Sequence, residues 1–414
     1  MKSPIQIYSE IGKLKMVLIK RPTQEIENLT PVTLEELLFD EIPYLPIIQE
    51  EHDIFAKVLR DNGVEILYLD ELMEESIQKV ADKEKFVDSF LLESSLYTKY
   101  VYEKVKDHLL SIDSKQTINT VMSGLRKDAL KENGNEHKMS LQEIMSSSLF
   151  YLKPMPNLYF TRDPGACIGN GISINKMFKT ARQRESFFVN FIMKNHPQFK
   201  DAQFPVWTDR DSHYSIEGGD ILVLNEETIA IGISERTMPE AIQQIAKNVF
   251  KADNSFKQVL AVDIPKRRAF MHLDTVFTML DKDKFSYHPE IFRHGSEENH
   301  VLDCFILEKN GEDMHIHKRD NLKLALKEVL KLNHITLIPC GGGDPVATPR
   351  EQWSDGSNTL AIAPGVVITY DRNNITNAAL REHGVKVLEI RSSELSRGRG
   401  GPRCMSMPIY RESI

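Results

Sequence analysis

The most unusual stretch of this sequence is Arg397-Gly398-Arg399-Gly400-Gly401-Pro402-Arg403-Cys404-Met405-Ser406-Met407-Pro408, which places a thiol in a glycine-rich, cationic loop. A thiolate is the useful nucleophile, and neighbouring positive charge lowers a cysteine pKa from its usual value of about 8.5 toward the physiological range. Cys404 is therefore the leading nucleophile candidate, set against the common case of a cysteine buried as a small hydrophobe. Cys340 is its rival, in Ile338-Pro339-Cys340-Gly341-Gly342-Gly343-Asp344-Pro345. That loop lacks the Gly-Lys-Ser/Thr ending of a phosphate cradle and reads as a turn. Cys167 and Cys304 have weaker contexts.

A base and several acids accompany the thiol. In Met271-His272-Leu273-Asp274-Thr275, an extended backbone would point residues two apart the same way and present imidazole and carboxylate to one cleft. Met314-His315-Ile316-His317 has the same spacing without an obvious acid partner. Ile216-Glu217-Gly218-Gly219-Asp220 sets two acids around a Gly-Gly turn, a pattern that ordinarily makes a hairpin with solvated carboxylates. Asn157-Leu158-Tyr159-Phe160-Thr161-Arg162-Asp163-Pro164 adds Asp163 in an aromatic setting, where burial requires a cationic partner. The acids and His272 could instead ligate a metal, but one histidine with carboxylates is a poor transition-metal set. Cys404, His272, Asp163, Glu217 and Asp274 thus join a nucleophile and a base to a surplus of negative charge. A cationic substrate explains the surplus, and guanidinium suits it best, being planar, protonated and able to take two carboxylates in paired hydrogen bonds.

The elements that must position these residues follow from proline placement and apolar period. No proline occurs between Pro46 and Pro154, where Phe86-Val87-x-x-Phe90-Leu91 and Val101-x-x-x-Val105-x-x-x-Leu109 recur at helical spacing. Residues 73–151 are expected to form a helical insertion, with 1–72 and 152–414 as two parts of one catalytic unit. Short β-branched runs flank it: Met16 to Ile19, Thr228 to Ile231, Val259 to Val262 and Val366 to Thr369. Leu59-Arg60-Asp61-Asn62-Gly63-Val64-Glu65-Ile66-Leu67 resembles Leu380-Arg381-Glu382-His383-Gly384-Val385-Lys386-Val387-Leu388. Each reads as a helix end, a glycine cap and a strand. Matching segments near both ends favour a closed, circularly repeating architecture over an ordinary doubly wound α/β sheet.

Taken together, the motifs identify a resemblance to the arginine deiminases of the guanidino-group-modifying superfamily. It runs from end to end: Leu29-Thr30-Pro31 with Glu36 to Asp40, Pro156 to Pro164, Ala181 to Glu185, Ile216 to Asp220, Ser234-Glu235-Arg236-Thr237, Met271 to Thr275 and Cys404 to Pro408. It is weakest in the helical stretch and between about Tyr287 and Asn321. The resemblance implies an α/β fold, a five-bladed pseudosymmetric α/β propeller (pentein-like) with a helical insertion, and hydrolysis of free L-arginine to L-citrulline and ammonia with no cofactor and no metal. It implies that Cys404 attacks the guanidinium carbon, that His272 moves the protons, that Asp163 and Asp274 hold the guanidinium nitrogens and that Glu217 orients His272. By the same resemblance Arg182, Arg236 and Arg399 bind the substrate carboxylate with help from Asn157, backbone of Leu38 and Gly398 meets the α-amine, and Asp220 braces its loop. A homodimer or larger homo-oligomer is also implied. Many relatives carry histidine immediately before the nucleophile; here Arg403 stands there, read as a gate or a bias on the thiolate.

Composition bounds the alternatives. The 414 residues are 41% hydrophobic and 27% charged, with net charge −8, which argues against a nucleic-acid binder. No run of about 18 apolar residues suggests a membrane span, and four scattered cysteines fit a reducing, cytoplasmic home. Amidinotransfer, deimination of agmatine and a non-catalytic binding protein of the same fold are the competing readings.

Overall fold

The computed structural model describes residues 3–94, 96, 98–130, 148–293, 299–311 and 313–414. Five of its sheets share one plan: a first strand antiparallel to a second, and a third strand parallel to that second one. Leu14–Ile19 lies between Met407–Arg411 and Glu65–Tyr68. Gly165–Ile168, Gly171–Ile174 and Val206–Thr208 form the second such sheet. Ile221–Asn225, Thr228–Ile233 and Gln258–Asp263 form the third, which a hairpin of Val301–Asn310 and Asp313–Asn321 extends to five strands. Phe277–Asp281, Lys284–Tyr287 and Thr336–Pro339 make the fourth; Leu360–Ala363, Val366–Tyr370 and Lys386–Ile390 make the fifth.

Each parallel pair needs a crossover, and each has a helix in it: Leu45–Asp61, Glu185–Asn195, Pro239–Lys251, Leu322–Leu330 and Asn374–Glu382. Pro239–Lys251 shows why such a segment is helical. Proline occupies the first turn, where its missing N–H costs nothing, and Ala241, Ile242, Ile245, Ala246, Val249 and Phe250 form one buried stripe. Thr228–Ile233 is buried at every position, as expected for a strand covered on both faces.

The two glycine-capped segments adopt the same conformation. Gly63 and Gly384 have φ of 76° and 79°, and each following valine donates to the carbonyl five residues back, Val64 to Leu59 and Val385 to Leu380, at 3.1 and 3.0 Å. This left-handed cap turns helix into strand in both modules. Strands from the two ends of the chain pair in the first sheet, but none of the sheets closes on itself among the described residues.

Within the expected 73–151 insertion, Val80–Leu92, Lys99–Ser111 and Ser114–Ser123 are helices. The Thr98 and Asp113 side chains cap the second and third. Phe86, Val87, Phe90, Leu91, Val101, Val105 and Leu109 are all buried in a core that they share with the second and third sheets. Leu69–Ser76 runs across the expected boundary at 72/73, and residues 131–147 lie outside the described residues. No described helix is long and apolar enough to cross a membrane.

Candidate active site

The chemistry-bearing residues occupy equivalent places. Asp163, Glu217, His272 with Asp274, and Cys404 each precede the first strand of a different sheet, those starting at Gly165, Ile221, Phe277 and Met407. Asn358 holds the same place before Leu360. Five segments thus deliver side chains to one buried centre.

His272 is the hub. Its Nε2 lies 2.7 Å from Glu217 Oε2 and its Nδ1 3.7 Å from Asp163 Oδ1. Cys404 Sγ is 3.8 Å from Asp274 Oδ2, and the Cys404 amide donates to Asn358 Oδ1 at 3.0 Å. All of these side chains are buried. The Gly218-Gly219 pair permits the approach: a Cβ on Gly219 would stand 2.7 Å from the His272 ring and 2.9 Å from Asp163 Oδ1, and one on Gly218 2.0 Å from the Arg162 carbonyl. The turn residues are therefore there for closeness, and the carboxylates of Glu217 and Asp220 are inside the protein, not solvated.

The His272 segment differs from the extended strand expected of it. Leu273–Thr275 is a 3-10 turn, because Asp220 Oδ1 captures the Leu273 amide at 2.8 Å while Thr275 closes back on the His272 carbonyl. Asp220 also accepts from Ser234 and Thr237 hydroxyls at 2.7 and 2.6 Å, tying the His272 turn to the Arg236 loop.

Electrostatics oppose the idea that the cationic loop lowers the thiol pKa. Burial, then Asp274, Asp163 and Asp355, push the Cys404 thiol well above its ordinary value, and Arg403 only partly offsets them. Arg403 is itself buried, donating to Asp274 Oδ2 at 2.7 Å, to both Glu10 oxygens at 3.1 and 3.2 Å and to the Ile221 carbonyl at 2.7 Å. It is an internal clamp on Asp274 and not a gate. For His272, burial disfavours the charge, but Asp163 and Glu217 outweigh it and raise the pKa to about 9. Glu217 is held down at about 2, its burial overcome by His272 and Arg236. At neutral pH the site therefore rests as a neutral thiol and an imidazolium.

Asp163, Glu217 and His272 also bring ligand atoms close enough to hold a metal ion. The charge balance disfavours it: Asp163 is paired with Arg182 at 2.6 Å, Glu217 faces Arg236 at 3.8 Å, and a protonated imidazole has no lone pair to offer.

The residues expected at the carboxylate end are placed less uniformly. Arg182 spends its guanidinium on Asp163, on both Glu185 oxygens and on the Asn157 and Phe160 carbonyls. Arg236 Nε and Arg399 Nε and Nη1 are buried without a hydrogen-bond partner among the described residues. Asn157 Nδ2 donates to the Leu37 carbonyl at 2.7 Å, beside Leu38 with φ of 64°. Gly398 sits where a Cβ would fall 1.8 Å from Tyr159 Oη, a buried atom that, like His272 Nδ1, Asp274 Oδ1 and Asp355 Oδ2, has no hydrogen-bond partner among the described residues. Among the described residues the unpartnered atoms thus include donors on Arg236 and Arg399 and acceptors on Asp274 and Asp355. Cavities of about 850 and 860 Å³ flank residues 36–41, the first lined by Asp40, Trp353 and Arg399, the second by Leu37, Leu38 and Arg184.

Sequence reasoning passed over Asn358, Asp355 and Glu185. Asn358 joins Cys404 to the Asp274 carbonyl; its place before the first strand of the fifth sheet was the signal that could have found it. Asp355, with φ of 61°, has its pKa raised by burial to about 7, Arg399 opposing the shift.

A family model described as arginine deiminase matches residues 35–411. Curated proteins named arginine deiminase from Bacillus cereus and Bacillus thuringiensis subsp. konkukian are each 55% identical over the whole of both chains, and one from Latilactobacillus sakei subsp. sakei is 51% identical over the same extent. Among solved structures, the amidinotransferase SxtG from Microseira wollei aligns over 99% of this chain and 98% of its own, at 15% identity and a TM-score of 0.54. A variant dimethylarginine dimethylaminohydrolase from Pseudomonas aeruginosa complexed with citrulline aligns over 95% and 99%, at 15% identity and 0.50. The α/β fold is the one shared with these proteins.

Proposed function

The chain belongs to the arginine deiminase family, and we propose that the centre built around Cys404 and His272 performs that family's hydrolysis of L-arginine to L-citrulline and ammonia. The observation that carries the reading is the pairing of a buried thiol and imidazolium with three carboxylates, of which Asp274 keeps Oδ1 without a partner among the described residues.

Asp163 and Asp274 receive the substrate guanidinium. Its positive charge then does for Cys404 what the surrounding carboxylates undo, favouring the thiolate beside it as the thiol proton leaves to solvent. Sγ attacks the guanidinium carbon, and the tetrahedral adduct expels ammonia with a proton from His272, leaving a thiouronium ester on Cys404. His272, now neutral, takes a proton from water. The hydroxide adds to the same carbon, and collapse of this adduct breaks the C–S bond while the hydroxyl proton passes to the departing sulfur, which restores the thiol and leaves the urea group of citrulline. Arginine and water become citrulline and ammonia with no redox change, so the balance calls for no cofactor. Glu217 keeps His272 oriented through Nε2, which leaves Nδ1 to exchange protons.

Arg236 and Arg399, which have open donors, hold the α-carboxylate. Arg182 joins them when the substrate guanidinium takes its place on Asp163. Asn157 and the backbone at Leu38 and Gly398 complete the amino acid end. Around the site we place five three-stranded modules as the blades of a pseudosymmetric propeller, built from residues 1–72 and 152–414, with 73–151 as its helical insertion. The role is arginine catabolism in the cytoplasm, by a homo-oligomer that needs neither nucleic acid nor membrane.

A citrulline and ammonia assay on purified protein tests the reading. Wild type should release both, and Cys404→Ala should lose at least about three orders of magnitude. Activity retained in Cys404→Ala refutes the mechanism; guanidinoacetate formed from added glycine in place of citrulline refutes the hydrolysis.

A further inference from the structure

Trp353 is the last residue of the helix Ala347–Trp353 and is 48% exposed, yet the Arg399 guanidinium carbon stands 3.4 Å from its ring centroid. Arg399 itself is only 7% exposed. We propose that Trp353 is a positioning residue for substrate recognition, a fixed indole face that holds Arg399 ready for the α-carboxylate. The inference rests on the reading of the site given above.

A guanidinium has five N–H donors around its rim and none on its face. A carboxylate placed beside it occupies the rim, as Asp163 and Glu185 do for Arg182. An aromatic ring attracts the cation through the face and leaves the rim open. Arg399 shows that outcome: Nε and Nη1 have no hydrogen-bond partner among the described residues, and the Asp40 carboxylate comes no closer than 4.0 Å.

Both ends of the arrangement are anchored independently of the stack. The platform is held by Gln352 Nε2 donating to the Ala269 carbonyl at 2.7 Å and by Asn373 Nδ2 donating to the Ser354 carbonyl at 2.8 Å. On the other side, buried Glu51 accepts from the amides of Ser393, Glu394 and Leu395 and from the Ser393 hydroxyl, at 2.6 to 2.9 Å. That carboxylate fixes the start of the 3-10 turn Leu395–Gly398, and Arg399 follows it at φ of 62°. The root of Arg399 and its landing face are therefore both set. Trp353 contributes the preorganisation of the side chain between them.

Such a role should show in recognition and not in chemistry. The test compares wild type, Trp353→Leu and Trp353→Phe for citrulline release from L-arginine, together with competitive inhibition by agmatine, which carries the same guanidinium without the carboxylate. Trp353→Leu should raise KM for arginine roughly 3- to 30-fold, with kcat changed by less than about threefold. Inhibition by agmatine should be unchanged, and Trp353→Phe should recover most of the lost affinity. An unchanged KM in Trp353→Leu overturns the inference, as does an equal loss of affinity for agmatine, which would mark general damage to the pocket. Wild type without citrulline release would instead overturn the reading of the site on which the inference stands.

Discussion

Replacing Glu217 by glutamine keeps the shape of the side chain and removes its charge. In the native site Glu217 Oε2 is 2.7 Å from His272 Nε2 in a fully buried setting, and the imidazole pKa stands at about 9 against its usual value near 6.5. A hydrogen bond to a charged group is worth about 1.5–3 kcal/mol, and one pKa unit corresponds to about 1.36 kcal/mol. Loss of the charge should therefore bring His272 down by about one to two units, to between about 7 and 8. Asp163 at 3.7 Å remains and keeps the pKa from falling further. The imidazole signals of 15N-labelled protein, assigned by difference against His272→Asn, follow the titration directly. A midpoint in Glu217→Gln within a few tenths of a unit of wild type would refute the assignment of the shift to this pair. The sign extends to stability. A base with its pKa raised on folding adds stability that is fully present below about pH 6.5 and is lost as pH rises through about 9. Wild type should lose stability over that window, and Glu217→Gln should lose less.

Three further outcomes are expected. Because burial and carboxylates raise the Cys404 thiol, inactivation of the free enzyme by iodoacetamide should keep accelerating with pH beyond about 8.5, and a midpoint at or below that value would mean that the loop arginines dominate. Asp274→Asn removes a repelling charge and frees the Arg403 guanidinium bonded to it at 2.7 Å, so its alkylation midpoint should fall below that of wild type. Arg236→Lys should raise KM for arginine by about tenfold with a smaller effect on kcat, since lysine cannot reproduce a forked contact to a carboxylate; a loss confined to kcat would place Arg236 at the reacting carbon instead.

Much of the fold was legible because its signals are local. The Gly63 and Gly384 caps demand a left-handed residue, and the stripe from Phe86 to Leu109 needs only helical period and the absence of proline. The candidate site was legible as a set of residue types but not as electrostatics. A Gly-Gly turn between acids ordinarily lies in water; here Gly218 and Gly219 let Arg162, His272 and Asp163 close on it, which cannot be read from the turn itself. The geometry at His272 depends on Asp220, 53 residues away in sequence, taking the Leu273 amide. The sign of the thiol shift depends on which charges reach Sγ. Arg397 and Arg399 are neighbours in sequence but pair with Glu41 and stack on Trp353, while Asp274, 130 residues distant, lies beside the sulfur. Asn358 is marked only by its place before Leu360, where the first strand of the fifth sheet begins, and nothing in the polar loop sets Asp355 apart.

The central claim is that Cys404 becomes covalently bonded to the guanidinium carbon. Acid quenching of wild type during turnover with excess arginine, followed by intact and peptide mass spectrometry, reads it directly. The peptide containing Cys404 should carry arginine less one ammonia, and the adduct should be absent from Cys404→Ala. Steady citrulline production with no adduct under conditions where its hydrolysis is slowed, or an adduct on any other residue, would contradict the account.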